Sequence, residues 1–241
     1  MNHLFLFCCV VVLGFVASGC ALADNETPLV AGKTLATLSN DQPEISLPLD
    51  SGIFIVSFQA LEPQTMKFNQ NTKDSWSEST ELKIVSPYNG SIAFAIPKPG
   101  DCTINISSTG SWTAQVNEYD LASPVKAPVN LSGSGTTVTQ PITLEKGEYF
   151  FQRGETGESS PSYYLTSSNG SYVMDETNSY VLPGFSRIST EPFKIVTITE
   201  SGTYFLSVMD LEENPKAWNM SISSVPPAPV MGPGPVIRET V

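Results

Sequence analysis

Apolar and polar positions alternate with period two through most of the chain, and no run keeps helical spacing over a useful length. The clearest stretch occurs twice. Near the C-terminal end, Gly202 leads Thr203-Tyr204-Phe205-Leu206-Ser207-Val208. An acidic loop follows, then Trp218-Asn219-Met220-Ser221-Ile222. Earlier, Gly100 leads Asp101-Cys102-Thr103-Ile104-Asn105-Ile106, followed by Trp112-Thr113-Ala114-Gln115-Val116. Both copies read as a β-hairpin whose second strand opens on tryptophan. Inward positions would be Tyr204, Leu206, Val208, Trp218, Met220 and Ile222, matched by Cys102, Ile104, Ile106, Trp112, Ala114 and Val116. Their neighbours are polar, with one exception, Phe205. Cys102 stands where the second copy has Tyr204, which makes it a small core residue rather than a reactive thiol.

The remaining strands follow from the same alternation. Residues 34–38, 45–49, 53–58, 65–68, 81–85 and 91–96 are predicted strands separated by turn residues. Pro48 marks its strand as an edge. Residues 53–58 are apolar on both faces at first, which suits a central strand. After a proline-bearing hinge at 121–128 the pattern restarts: Ile142 to Phe151 matches Leu47 to Val56 position for position around Gly147 and Gly52. Val196 and Ile198 match Phe94 and Ile96. The unit is thus an internal duplication. Residues 161–166 and 171–174 are strands about an Asn169-Gly170 turn. The fold class predicted is all-β, two tandem antiparallel β-sandwich domains at 29–120 and 129–224. The proline-rich segment 225–241 reads as an extended, disordered tail.

A length of 241 residues accommodates two domains, and 40% hydrophobic content supplies their cores. Charged residues make up only 15% of the chain, which favours a turn-rich β protein over a helical bundle. The net charge of −12 repels nucleic acid, and no Lys/Arg cluster reverses it locally. The single histidine, His3, lies in the leading segment, and Cys8 and Cys9 in its apolar run. The mature chain would then lack imidazole, which excludes Ser-His-Asp and Cys-His catalysis and His-ligated zinc.

Leu4 to Val16 has the length of a signal-peptide core. Ala17-Ser18-Gly19-Cys20 after it resembles a prokaryotic lipoprotein signal, in which the cysteine becomes the lipidated N-terminus. That resemblance implies residues 1–19 as signal peptide, lipid on Cys20, residues 20–28 as tether, and a protein anchored outside the cytoplasm on the cell membrane. Ala21-Leu22-Ala23 offers the alternative of ordinary cleavage after residue 23 and a secreted protein, and an uncleaved membrane anchor is the third option. The repeated unit, Gly202 to Val208 with Trp218 to Ile222, also resembles the jelly-roll-like β-sandwich modules of exported archaeal and bacterial proteins. Such modules act in adhesion, ligand binding or as accessories, and some bind Ca²⁺.

Candidate chemistry is sparse. Trp76 lies in the polar loop 69–79, where an exposed ring would stack on a sugar or peptide. The competing reading folds it back over the sandwich, in keeping with how buried tryptophan usually is. Tyr180 and Phe185, in the long loop 175–192, are the second place for a ligand. Asp210, Glu212 and Glu213 would be the ligands of a Ca²⁺ ion if the acidic loop held one, but the spacing is not that of an EF-hand and a solvated loop is favoured. Sequons at Asn25, Asn89, Asn105, Asn130, Asn169 and Asn219 are acceptors in a host that glycosylates them, with Asn89 and Asn169 expected in Asn-Gly turns. No catalytic constellation and no cofactor motif is present. The expectation is a non-enzymatic, surface-anchored binding or structural module. A carbohydrate- or peptide-binding accessory protein is the alternative, and a hydrolase the third reading.

Overall fold

The computed structural model describes residues 31–72, 77–154, 161–174, 192–210 and 215–226. Every regular element among them is a strand. The first half contributes β1 (Ala31–Ser39), β2 (Glu44–Leu49), β3 (Gly52–Ala60), β4 (Gln64–Thr72), β5 (Ser77–Ile84), β6 (Tyr88–Ile96), β7 (Gly100–Ser108) and β8 (Trp112–Tyr119). They form two four-stranded sheets, ordered β1-β8-β3-β6 and β2-β7-β4-β5. Only β4 and β5 are both consecutive and paired; every other step of the chain crosses to the opposite sheet. This is the winding of a jelly roll. β3 lies between β8 and β6, and β2 pairs with β7 alone, so Pro48 does sit on an edge.

The second half repeats the plan with β9 (Val125–Lys126), β10 (Val129–Ser134), β11 (Thr137–Val138), β12 (Ile142–Leu144), β13 (Gly147–Arg153), β14 (Ser162–Ser167), β15 (Phe193–Ile198), β16 (Gly202–Met209) and β17 (Ala217–Ser224). The sheet β10-β17-β13-β15 has the order of β1-β8-β3-β6. In the other sheet β16 has β12 and β11 on one side and β14 on the other, as β7 has β2 and β4. Register is duplicated too. Leu47 faces Cys102 as Ile142 faces Tyr204, and Val56 faces Val116 as Phe151 faces Ile222. In the stretch read as a hinge, Val125–Lys126 runs parallel to Ile142–Thr143 and adds an edge strand to the second sandwich.

One expectation fails. The repeated unit is not a hairpin, because β7 and β8 lie in opposite sheets, as do β16 and β17. It is an arch that spans the sandwich. Alternation fixes which side chains point inward, and that set is identical whether the second strand pairs with the first or faces it across the core. The inward set is therefore right. Cys102, Ile104, Ile106, Trp112, Ala114 and Val116 all lie in one buried cluster, and Tyr204, Leu206, Val208, Trp218, Met220 and Ile222 lie in its counterpart.

A third cluster joins the two sandwiches. Ile53, Ile55 and Ala95, on the outer face of β3 and β6, pack against Val138 and Phe205 of the second sandwich, with Tyr119 beside them. The four sheets stack as layers, and the middle pair meets through residues that break their own alternation. Phe205 points away from its own core and is fully buried. Its ring lies 4.9 Å from that of Tyr119. Both irregularities of the sequence pattern, Phe205 and the two-faced strand from Ile53, thus mark one joint.

Candidate functional site

The joint between the sandwiches gathers the most specific polar chemistry of the described residues. β11 runs beside β6, so the Ser91 amide donates to the Thr136 carbonyl (3.1 Å) and the Val138 amide donates to Ser91 Oγ (3.1 Å). The Thr136 amide donates to Tyr88 Oη at 2.6 Å. At the other side of the joint Tyr119 Oη donates to the Thr139 carbonyl at 2.7 Å. Burial, and the nearby Asp120 carboxylate after it, push the Tyr119 phenol well above its ordinary value. It remains a neutral donor across the usable pH range. The Asn169-Gly170 turn seats against the first sandwich: a Cβ on Gly170 would lie 2.6 Å from the Ile96 carbonyl oxygen and 2.9 Å from that of Gly52. Gly170 also takes φ of +85°, so side-chain-free backbone is needed there twice over.

Where the two sandwiches part at this end, a cleft of about 390 Å³ opens, lined by Pro48, Asp50, Gly52, Glu118, Leu121 and Ser168 among others. Asp50 and Glu118 are exposed on it. In this mixed polar and apolar lining the two carboxylates can accept hydrogen bonds from hydroxyl or ammonium groups. Among the described residues no group of three or more His, Cys, Asp or Glu side chains is arranged to hold a metal ion.

Of the residues singled out from sequence, Trp76, Tyr180, Phe185, Glu212, Glu213, Cys20 and Asn25 lie outside the described residues. Asp210 lies inside them and is buried. Its carboxylate accepts the Lys216 amide (2.7 Å), and its backbone exchanges hydrogen bonds with Thr136 Oγ1 (2.9 and 3.1 Å). Asp210 therefore fastens the base of the acidic loop to β11. Asn130, Asn169 and Asn219 are exposed. Asn105 donates to Glu44 Oε2 at 3.1 Å. Asn89 is exposed but stands within β6 opposite Gln59, not in a turn. Its Asn-Gly signal is overridden because residues 88–90 continue the ladder with β3, where Gly90 makes room for the Phe58 ring.

Several buried polar side chains escaped sequence reading, Arg153 and Gln70 among them. Arg153 is only 2% exposed and occupies the register position of Phe58. The signal was available: Arg153 lies two residues after Phe151, as Phe58 lies two after Val56. Gln70 is fully buried on β4, opposite Ile104. Burial pushes the Cys102 thiol up, and the neighbouring Gln70 side chain partly offsets this.

No family model matches the chain, and no curated protein matches it. Solved structures with a related arrangement include the PBSX exported protein XepA (7% identity, 79% of this chain and 86% of that one, TM-score 0.24). The tandem CBM22-1-CBM22-2 domain of Paenibacillus barcinonensis Xyn10C is another (10% identity, 81% and 98%, TM-score 0.26). A third comes from Sulfolobus Turreted Icosahedral Virus (10% identity, 80% and 90%, TM-score 0.24). Likenesses this distant carry no functional weight, and the jelly-roll assignment rests on the strand order of the chain itself.

Proposed function

We propose that this chain is a non-enzymatic, extracytoplasmic binding or structural module, held at the cell membrane through lipid on Cys20. The observation that supports it is how the buried polar groups are used. Tyr119 joins the two sandwiches, and Asp210 closes a loop onto Lys216. Tyr204 donates to the Glu200 carbonyl at 2.6 Å, and Tyr149 accepts the Glu145 amide at 2.9 Å. Groups committed in this way hold a shape and are not poised to transfer protons. Such a role needs no cofactor. Mass spectrometry of the mature N-terminus tests the anchor: diacylglyceryl-Cys20 is expected, and a peptide beginning at Asp24 would refute it.

The acid-rimmed cleft favours a second reading, a carbohydrate- or peptide-binding accessory. Asp50 and Glu118 would accept hydrogen bonds from sugar hydroxyls or peptide amines. A screen of glycans, peptidoglycan fragments and peptides separates the two. Binding lost in the Asp50→Asn, Glu118→Gln double variant selects the accessory role; uniform absence of binding selects the structural one. Turnover of any screened compound would refute both.

A further inference from the structure

The two copies of the duplicated unit differ at one edge. In the second sandwich Val125–Lys126 runs parallel to Ile142–Thr143, and the Val125 amide donates to the Pro141 carbonyl at 2.9 Å. Val125 packs against the core beneath it, while Lys126 is exposed. Ile142, Thr143 and Leu144 correspond to Leu47, Pro48 and Leu49, since Ile142 faces Tyr204 as Leu47 faces Cys102. On the first sandwich β2 pairs with β7 alone, and no strand lies beyond it among the described residues. The cleft of about 390 Å³ opens here, beside Pro48 and Leu49. The second copy thus fills from its own chain a strand position that the first copy leaves to the cleft.

We propose that the cleft receives a short extended segment of a partner polypeptide, an apolar residue followed by Lys or Arg, laid along β2 as Val125–Lys126 lies along β12. This rests on the accessory reading and names its ligand class. The Ser46 carbonyl, counterpart of Pro141, is the backbone acceptor. Pro43 O accepts the Ile106 amide (2.8 Å), and carbonyls alternate sides along a strand. Those of Ile45 and Leu47 therefore face β7, and that of Ser46 faces the open edge. Leu35 and Leu49 line the cleft for the apolar residue. Asp50 and Glu118, both exposed on it, meet the cation that stands at the Lys126 position, and the net charge of −12 adds to the attraction. Pro48 stands where the second copy has Thr143 and carries no amide, so the ladder stops after one bond and a long strand cannot be added. Selectivity then falls on the side chains. The chain's own segment ahead of β1, residues 21–30, carries Asp24 and Glu26 and no Lys or Arg, the opposite of what the two carboxylates select.

The test is amide chemical-shift perturbation in the ¹⁵N-labelled full chain, as processed by its host and held in detergent. The probes are N-acetylated, C-amidated Ala-Val-Lys-Ala and its Ala-Val-Glu-Ala counterpart, titrated to ~10 mM, where even a weak site fills. Saturable shifts at the Asp50, Gly52 and Glu118 amides are expected with the lysine peptide only, and they weaken as salt rises. Affinity should fall roughly tenfold in the Asp50→Asn, Glu118→Gln double variant. It should rise in Pro48→Thr, which restores the amide that Thr143 carries in the second copy. Shifts with neither peptide, equal shifts with both, or an affinity that both variants leave unchanged overturn the proposal. A glycan that shifts these amides where the lysine peptide does not overturns the peptide class and leaves the accessory reading standing. Silence of glycans and peptides alike overturns both.

Discussion

Replacing Phe205 by alanine isolates the joint between the sandwiches, because this side chain contributes to neither sandwich's own core cluster. It is fully buried against Ile53, Ile55, Ala95, Val138 and Tyr119. A buried Phe→Ala change costs about 3–5 kcal/mol when the site cannot collapse. Two rigid sheets facing each other cannot close over the void without breaking the Ser91–Thr136 and Tyr119–Thr139 hydrogen bonds, so the full cost should fall on the joint. Even at about 3 kcal/mol the joint would open roughly a hundredfold more often. Hydrogen exchange reads this directly. The Ser91 amide, bonded to Thr136 O, and the Val138 amide, bonded to Ser91 Oγ, exchange only when the sandwiches part. In Phe205→Ala both should exchange about a hundredfold faster, while amides of the central strands β3 and β13 keep their protection. Equal loss of protection in β13 would mean that Phe205 supports its own sandwich, and unchanged exchange at Ser91 and Val138 would mean that the joint does not depend on it. Either result refutes the reasoning.

Three further outcomes follow. Gly170→Ala should lower the melting temperature and speed exchange at the joint, since its Cβ meets two carbonyl oxygens and its φ of +85° disfavours a side chain; a loss of at least ~1 kcal/mol is expected in chemical denaturation. Cys102 should resist thiol reagents in the native state and react on unfolding, because burial pushes its pKa up and leaves the neutral thiol; fast native-state labelling would contradict its core assignment. Stability should fall in alkali. The pKa values of Cys102, Tyr119 and Tyr204 are all raised in the folded chain, so the unfolded chain releases their protons first, from about pH 9 for the thiol and pH 10 for the phenols. Their stabilisation is complete below those values and is lost as pH rises through the folded ones, and a denaturation midpoint that is flat from pH 8 to 11 would contradict it.

The chain's alternation disclosed much of this architecture because each strand has one face in a core, and period-two burial is a local property. The assignment of Tyr204 and Cys102 to equivalent inward positions needed only that. Which strands pair is not local. β7 and β8 read as a hairpin because nothing in their alternation distinguishes a neighbour in the same sheet from a strand across the core. The joint was legible as a flaw before it was legible as a surface: Phe205 and the strand from Ile53 violate alternation for the same reason, a second buried face. Arg153 was hidden differently. A single charged residue at a strand end looks solvated, and only its duplicate, Phe58, marks the position as interior. The cleft was not visible at all, because Asp50 and Glu118 meet only through the non-local packing of the first sandwich, and Ser168 reaches them from the second half.

The central claim is that two jelly rolls are joined into one rigid body by outward-facing apolar residues. Backbone ¹⁵N relaxation of the chain at low concentration tests it most directly. One rotational correlation time, shared by amides of β3 and β13 and appropriate to both sandwiches together, is predicted. Two independent, shorter correlation times, one for each sandwich, would contradict it.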